Sequence, residues 1–144
     1  MKLTNHVKIT LPAIVGNEGF ARAAVAAFCT PLSPSLEEIN DIKTAVSEAV
    51  TNVIVHAYPD KNGIVEIEAA IYDDNVISIT VSDEGIGLKD IGQAKKPFFT
   101  TKSAEEHSGM GFTIMEAFMD ELDVRSEVGR GTVIVMRKAI KQHA

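Results

Sequence analysis

The chain has 144 residues, of which 45% are hydrophobic and 24% are charged, and its formal net charge is −6. These values predict one globular domain over residues 1–144 with a sizeable core, and the acidic balance argues against direct nucleic-acid binding through a broad basic surface. No segment approaches the roughly 20 apolar residues of a membrane span, and the apolar run interrupted by Pro12 is too short for a signal peptide. We therefore expect a cytoplasmic protein without a membrane segment, in which the lone Cys29 is a buried structural thiol.

The first part of the chain predicts a strand followed by a short helix. Apolar and polar residues alternate in the strand, whose half-buried positions are Val7, Ile9 and Leu11. The helix is expected over about residues 18–28 with Asn17 as its N-cap. Its core side is predicted to carry Phe20, Ala24, Ala27 and Phe28, with Arg22 on the other side.

A long amphipathic helix is predicted next, over about residues 35–57. Ser35 and Glu38 form a capping-box pattern directly after Pro34. The expected core stripe consists of Leu36, Ile39, Ile42, Val46, Ala49, Val50, Val53, Ile54 and Ala57. The opposite, polar side is expected to carry Asp41, Ala45, Glu48 and Asn52.

The remaining pattern predicts two hairpins separated by a long irregular stretch and a helix. Strands are expected over about residues 65–71, 77–82, 122–126 and 132–138, and a helix over about residues 111–120 with methionines as core filler. Residues 89–108 show no steady period, apart from a possible short helix at about 90–95, and such a stretch often forms a lid. The fold class predicted is α+β, a two-layer sandwich of a mixed, mostly antiparallel sheet with helices on one face.

Glu48 and Asn52 lie one turn apart on the long helix, so they share a face. Such a pair is most often only a solvated surface. A carboxylate can, however, take a proton from an attacking hydroxyl, and an amide oxygen can bind Mg²⁺. The two residues are therefore candidates for a general base and a metal ligand.

Two glycine motifs follow in the chain and strengthen that interpretation. Asp83 ends a strand and could accept a hydrogen bond from the amino group of adenine, while Gly85 and Gly87 permit close backbone approach. Gly109 and Gly111 stand at a helix start, where free N–H groups favour phosphates. Each motif alone is weak, but their order along the chain predicts a site for a metal-bound, phosphorylated ligand.

The same residues carry a resemblance to a known family. The set resembles the Bergerat-type ATP-binding fold of gyrase, heat-shock protein 90 and sensor histidine kinases. The stretches IKTAVSEAVTN, DEGIG, PFFTTK and SGMGFTIMEAFMD resemble the anti-sigma factor serine kinases, the sporulation members above all. The resemblance runs from about residue 17 to residue 132.

The resemblance implies ATP and Mg²⁺ as ligands and a role for each matching position. Glu48 would be the general base, Asn52 the Mg²⁺ ligand, and Asp83 the adenine contact with help from Thr132. The nucleotide pocket and its lid would include Gly85, Gly87, Thr100, Thr101, Lys102, Ser108, Gly109, Met110 and Gly111. Arg22 would contact protein partners, which in this family are a sigma factor, held inactive, and an anti-anti-sigma factor, phosphorylated on serine. The family acts as a homodimer.

One position departs from the family, and it leaves a question open. His107 stands where the family often has an arginine that reaches the phosphates, and a neutral imidazole gives less electrostatic help. Lys102 is the other candidate for that contact. A general-stress anti-sigma kinase, or an ATP-gated sigma-binding module with little kinase activity, remains an alternative to the sporulation kinase.

Overall fold

The computed structural model describes residues 1–59, 62–88 and 111–141. Within these ranges the chain forms five strands, three α-helices and one π-helix. In chain order they are β1 (Leu3–Pro12), α1 (Glu18–Phe28), α2 (Leu36–Asn52), the π-helix (Val53–Ala57), β2 (Ile64–Tyr72), β3 (Val76–Asp83), α3 (Gly111–Phe118), β4 (Glu121–Glu127) and β5 (Gly131–Ala139).

The strands form one sheet in the order β1-β2-β3-β5-β4, and every pairing among the described strands is antiparallel. The sequence left room for a mixed sheet, and the two predicted hairpins are confirmed. On β2 and β3 the apolar residues alternate with polar ones, which puts the buried apolar residues on one face of the sheet. That set is Val65, Ile67, Ala69, Ile71, Ile77, Ile79 and Val81.

Helix α1 has the predicted bounds, but its core side was predicted only in part, since Phe28 packs against the core whereas Phe20 does not. Ala21 and Val25 are fully buried, whereas Phe20 is 57% exposed. The helix packs directly on α2, and small side chains on the contact side permit that approach. Asn17 precedes the helix but makes no side-chain cap, and its amide nitrogen donates to the carbonyl oxygen of Pro12.

Helix α2 begins at the predicted capping box, in which Ser35 and Glu38 exchange both hydrogen bonds. Two expectations about its faces were wrong, since Leu36 is 77% exposed and Ala45 is fully buried. Ala45 is buried because α2 packs against both α1 and α3, so its buried surface is wider than a single stripe. Leu36 is the first residue of α2. Beyond Asn52 the helix widens into the π-helix, which the sequence did not predict.

The core between sheet and helices also contains the predicted thiol and methionine side chains. Cys29 is fully buried, and burial raises the pKa of its thiol to about 12. Met115 and Met119 are buried as predicted. Among the described residues no helix is long and apolar enough to cross a membrane.

Candidate active site

The turn after β3 lies against the end of the π-helix. The backbone N–H of Ile86 donates to the carbonyl oxygen of Ala57 over 3.0 Å. A Cβ on the buried Gly85 would lie 2.2 Å from that same oxygen, so only glycine fits there. Gly87 has a φ of +75°, and a Cβ on it would lie 2.3 Å from the carbonyl oxygen of Glu127. Both glycines therefore permit close packing of protein backbone, as the sequence predicted for this motif.

Glu48 and Asn52 lie on α2, whose continuation carries Ala57. Both side chains are half-buried, and Asn52 is the last α-helical residue before the π-helix. The π-helix keeps the chain helical up to Ala57, where the turn after Asp83 is bonded. The two predicted parts of the site, the helix pair and the Asp83 turn, are thus joined through a single backbone junction.

Asp83 is a half-buried carboxylate held by backbone donors. Its Oδ1 accepts the N–H of Gly85 at 2.8 Å, and Thr132, its pair partner on β5, brings a second backbone N–H near the carboxylate. Burial raises the pKa of this carboxyl above its ordinary value, and the two backbone N–H groups oppose part of that rise. The arrangement fixes the carboxylate in place as an acceptor for a ligand N–H group.

Thr132 lies beside Asp83 because the two residues are paired across β3 and β5. The preceding Gly131 has a φ of +123°, and a Cβ on it would lie 2.0 Å from the carbonyl oxygen of Asp83. On β4, which pairs with β5, the hydroxyl oxygen of Ser126 lies 2.8 Å from that of Thr132. Sequence reasoning missed Ser126, whose only signal was a small polar residue on a strand paired with Thr132.

The phosphate end of the predicted site is described only in part. Gly111 is buried and is the first described residue of α3. The predicted residues Thr100, Thr101, Lys102, His107, Ser108, Gly109 and Met110, like the short helix at about 90–95, lie outside the described residues.

The donor set near Asn52 can be tested against the magnesium ion that the resemblance implies. In the described ranges no three His, Cys, Asp or Glu side chains come together as a metal site. Mg²⁺ bound with a nucleotide commonly takes one or two protein oxygens, with phosphates and water as its other ligands. A single half-buried amide oxygen at Asn52 fits that mode and does not fit a cage made of protein ligands alone.

Arg22 lies on α1 and is paired within the protein. Its Nη1 is 3.4 Å from Oε1 of Glu18, and its side chain is 42% exposed. The same Glu18 oxygen accepts the hydroxyl of Ser47, the residue before Glu48. Arg22 is therefore accessible to solvent on one side and paired with Glu18 on the other.

Comparison with known proteins now gives the class. Residues 12–138 match the family model described as "Histidine kinase-like ATPase domain". The anti-sigma F factor of Caldanaerobacter subterraneus subsp. tengcongensis is 53% identical over 140 residues, covering 97% of each chain. The anti-sigma F factor of Geobacillus kaustophilus is 52% identical, covering 96% of this chain and 94% of the relative. The chain belongs to the histidine kinase-like ATPase domain family and, within it, to the anti-sigma F factors.

Solved structures agree on the fold. A Mycobacterium tuberculosis structure of RsbU and RsbW domains matches with a TM-score of 0.68 at 23% identity, covering 95% of this chain and 32% of that one. The structure of full-length ShkA in complex with AMPPNP matches with a TM-score of 0.58 at 19% identity, covering 92% of this chain and 32% of that one. The predicted fold class and family resemblance are confirmed.

Proposed function

We propose that this protein is an ATP-dependent protein serine kinase that phosphorylates an anti-anti-sigma factor and also binds a sporulation sigma factor and holds it inactive. The observation that carries the proposal is the junction between Ala57 and Ile86. It joins the helix of Glu48 and Asn52 to the turn that presents Asp83. A base, a metal ligand and a nucleotide contact are thereby built on one connected piece of backbone.

The nucleotide is assigned to the side of the site near Asp83. Its carboxylate accepts the amino group of adenine, and the Thr132 hydroxyl lies next to that contact. Gly85 and Gly87 fix the turn, and Gly111 lies at the phosphate end with Gly109 and Met110. The lid contacts are assigned to Thr100, Thr101, Lys102, His107 and Ser108.

Glu48 is the proposed general base of the transfer. Its carboxylate takes the proton of the substrate serine while the serine oxygen forms a bond to the γ-phosphorus. The bond from that phosphorus to the β–γ bridging oxygen breaks, and ADP leaves. Asn52 would hold Mg²⁺ through its amide oxygen, and the ion would supply charge neutralisation at the phosphates.

The partners follow from the family and from the surface of α1. The relatives are named as anti-sigma F factors, which supports a sigma factor as one partner. Arg22 is half-exposed, and arginine is enriched at interface hot spots, so it is assigned as a contact for a partner. We further propose a cytoplasmic homodimer that makes no direct contact with nucleic acid.

Incubation with γ-labelled ATP and a candidate anti-anti-sigma protein tests the proposal. The expected result is label on serine of the partner, dependent on Mg²⁺ and absent when this protein is omitted. ATP binding without any transfer of label to serine would leave an ATP-gated binding module and reject the kinase. Transfer to histidine would assign a different chemistry to the same fold.

A further inference from the structure

Ser126 lies in β4, one residue before the strand ends, and faces the pair partner Thr132 on β5. Its hydroxyl oxygen accepts the backbone N–H of Leu88 at 2.7 Å. The same oxygen lies 2.8 Å from the Thr132 hydroxyl and 3.1 Å from the carbonyl oxygen of Gly131. The Ser126 side chain thus links β5, through Gly131 and Thr132, to the backbone at Leu88, just beyond the turn that follows Asp83.

The number of protons limits how these contacts can be shared. Ser126 has one proton and two lone pairs, and Leu88 occupies one lone pair. If Ser126 donates to Gly131, its remaining lone pair accepts the proton of Thr132, which then offers only lone pairs to a ligand. If Ser126 donates to Thr132, the threonine keeps its own proton for a ligand. In both cases Ser126 fixes the direction of the Thr132 hydroxyl.

The direction of the Thr132 hydroxyl matters because Thr132 lies beside Asp83. It is paired with Asp83 across β5 and β3, so the backbones of the threonine and the aspartate are fixed relative to each other. The side chain of Thr132 is buried, with 9% of its surface exposed. Threonine has more than one accessible rotamer on a strand, and a hydrogen bond from the hydroxyl selects one of them.

We propose that Ser126 is a positioning residue for the nucleotide base, which holds the Thr132 hydroxyl beside Asp83 through their hydrogen bond. The inference rests on the proposed function, since it takes Asp83 and Thr132 as the adenine contacts. Ser126 itself does not touch the nucleotide. Its effect on binding therefore passes through Thr132.

A double-mutant cycle on Mg²⁺-ATP affinity, measured by calorimetry on the full chain, tests this. Ser126→Ala is expected to weaken ATP binding about three- to tenfold, the scale of one lost hydrogen bond. Ser126→Thr keeps the hydroxyl and is expected to stay within about twofold of the unaltered protein. Adding Ser126→Ala to Thr132→Val is expected to change affinity by less than about twofold, because the hydroxyl that Ser126 acts on is already gone.

The outcomes separate failure of this inference from failure of the proposed function. Unaltered affinity in Ser126→Ala, or independent effects of the two substitutions, would overturn the inference while leaving the ATP site in place. Failure of the unaltered protein to bind ATP would overturn the proposed function itself. If Ser126→Ala does not fold, Ser126→Cys is measured instead. Its sulfur is a weak hydrogen-bonding group of similar size, so affinity equal to that of serine would overturn the inference.

Discussion

The backbone N–H of Ile86 donates to the carbonyl oxygen of Ala57, which ends the π-helix. The last carbonyl groups of a helix have no partner inside it, so this bond satisfies one of them. It also fixes the turn after Asp83 to the helix that carries Glu48 and Asn52. The geometry of the proposed site therefore depends on backbone contacts as well as on the functional side chains.

Gly85→Ala tests that junction. The added Cβ would lie 2.2 Å from the carbonyl oxygen of Ala57, so the turn must move away from the helix. We expect a loss of about 1–3 kcal/mol in the free energy of unfolding, together with weaker ATP binding. Gly16→Ala is the matched control, because a Cβ there meets nothing within 4 Å. Equal stability of the two variants in denaturant unfolding would show that the junction tolerates displacement.

Asn52→Ala tests the metal ligand. Removing the amide oxygen is expected to weaken ATP binding by about tenfold or more when Mg²⁺ is present, with little change in its absence. Asn40→Ala serves as the control, since Asn40 is an exposed asparagine on the same helix. Titration of both variants with ATP, with and without Mg²⁺, checks the prediction. Normal Mg²⁺-ATP binding by Asn52→Ala would remove Asn52 from the metal site.

Asp83→Asn tests the nucleotide contact through ligand binding. The carboxylate accepts the backbone N–H of Gly85 and still has acceptor capacity for a ligand. An amide at this position places an N–H₂ group where adenine also has one, so ATP affinity is expected to fall by about tenfold or more. Asp123→Asn, at an exposed aspartate on β4, is the control. ATP affinity equal to that of the control would contradict the adenine assignment.

The same substitution makes a prediction about stability and pH. Because burial raises the pKa of Asp83 above 3.8, the folded state holds this proton more tightly than the unfolded state does. The contribution of the Asp83 carboxyl to the free energy of unfolding is therefore fully present below pH 3.8. It is lost as pH rises through the pKa of this carboxyl in the folded protein. Asparagine does not ionise, so Asp83→Asn is expected to gain stability relative to aspartate between acidic and neutral pH. Thermal melts of both proteins without nucleotide, recorded over this pH range, check the prediction. A difference in Tm between the two proteins that does not change with pH would contradict it.

Arg22→Ala tests the partner surface. Truncation of a central interface arginine commonly costs about 2 kcal/mol or more, and Arg22 is half-exposed on α1. We expect weaker binding to the sigma factor, to the anti-anti-sigma factor, or to both, with ATP affinity unchanged. Arg125→Ala provides the comparison, because Arg125 is 81% exposed and pairs only locally with Asp123 in the described chain. Calorimetry that finds unaltered affinity for both partners would return Arg22 to the solvated surface.

Local sequence patterns predicted the elements but not all of their contacts. The alternation in β2 and β3 and the capping box at Ser35 were sufficient because each depends on nearby residues. Ala45 was misplaced because helix periodicity predicts one apolar stripe, whereas α2 packs against two helices as well as the sheet. Phe20 was misplaced because α1 buries its small residues Ala21 and Val25 instead.

The candidate site shows the same division. Asp83 and its glycines could be proposed from the sequence because a carboxylate and glycines at a strand end form a local motif. Ser126 could not, since its contacts depend on the pairing of β4 with β5 and on Leu88, which lies 38 positions away. The widening of the helix into a π-helix after Asn52 also had no local signal.

The central claim is tested most directly by Glu48→Gln, measured both for ATP binding and for transfer of γ-phosphate to serine of an anti-anti-sigma factor. Glutamine keeps the size of the side chain but cannot accept the serine proton. We expect ATP affinity within about threefold of the unaltered protein and a transfer rate lower by about 10²–10⁴. Glu37→Gln, on the exposed start of the same helix, is expected to transfer normally. Transfer by Glu48→Gln within about twofold of the unaltered protein would contradict the account.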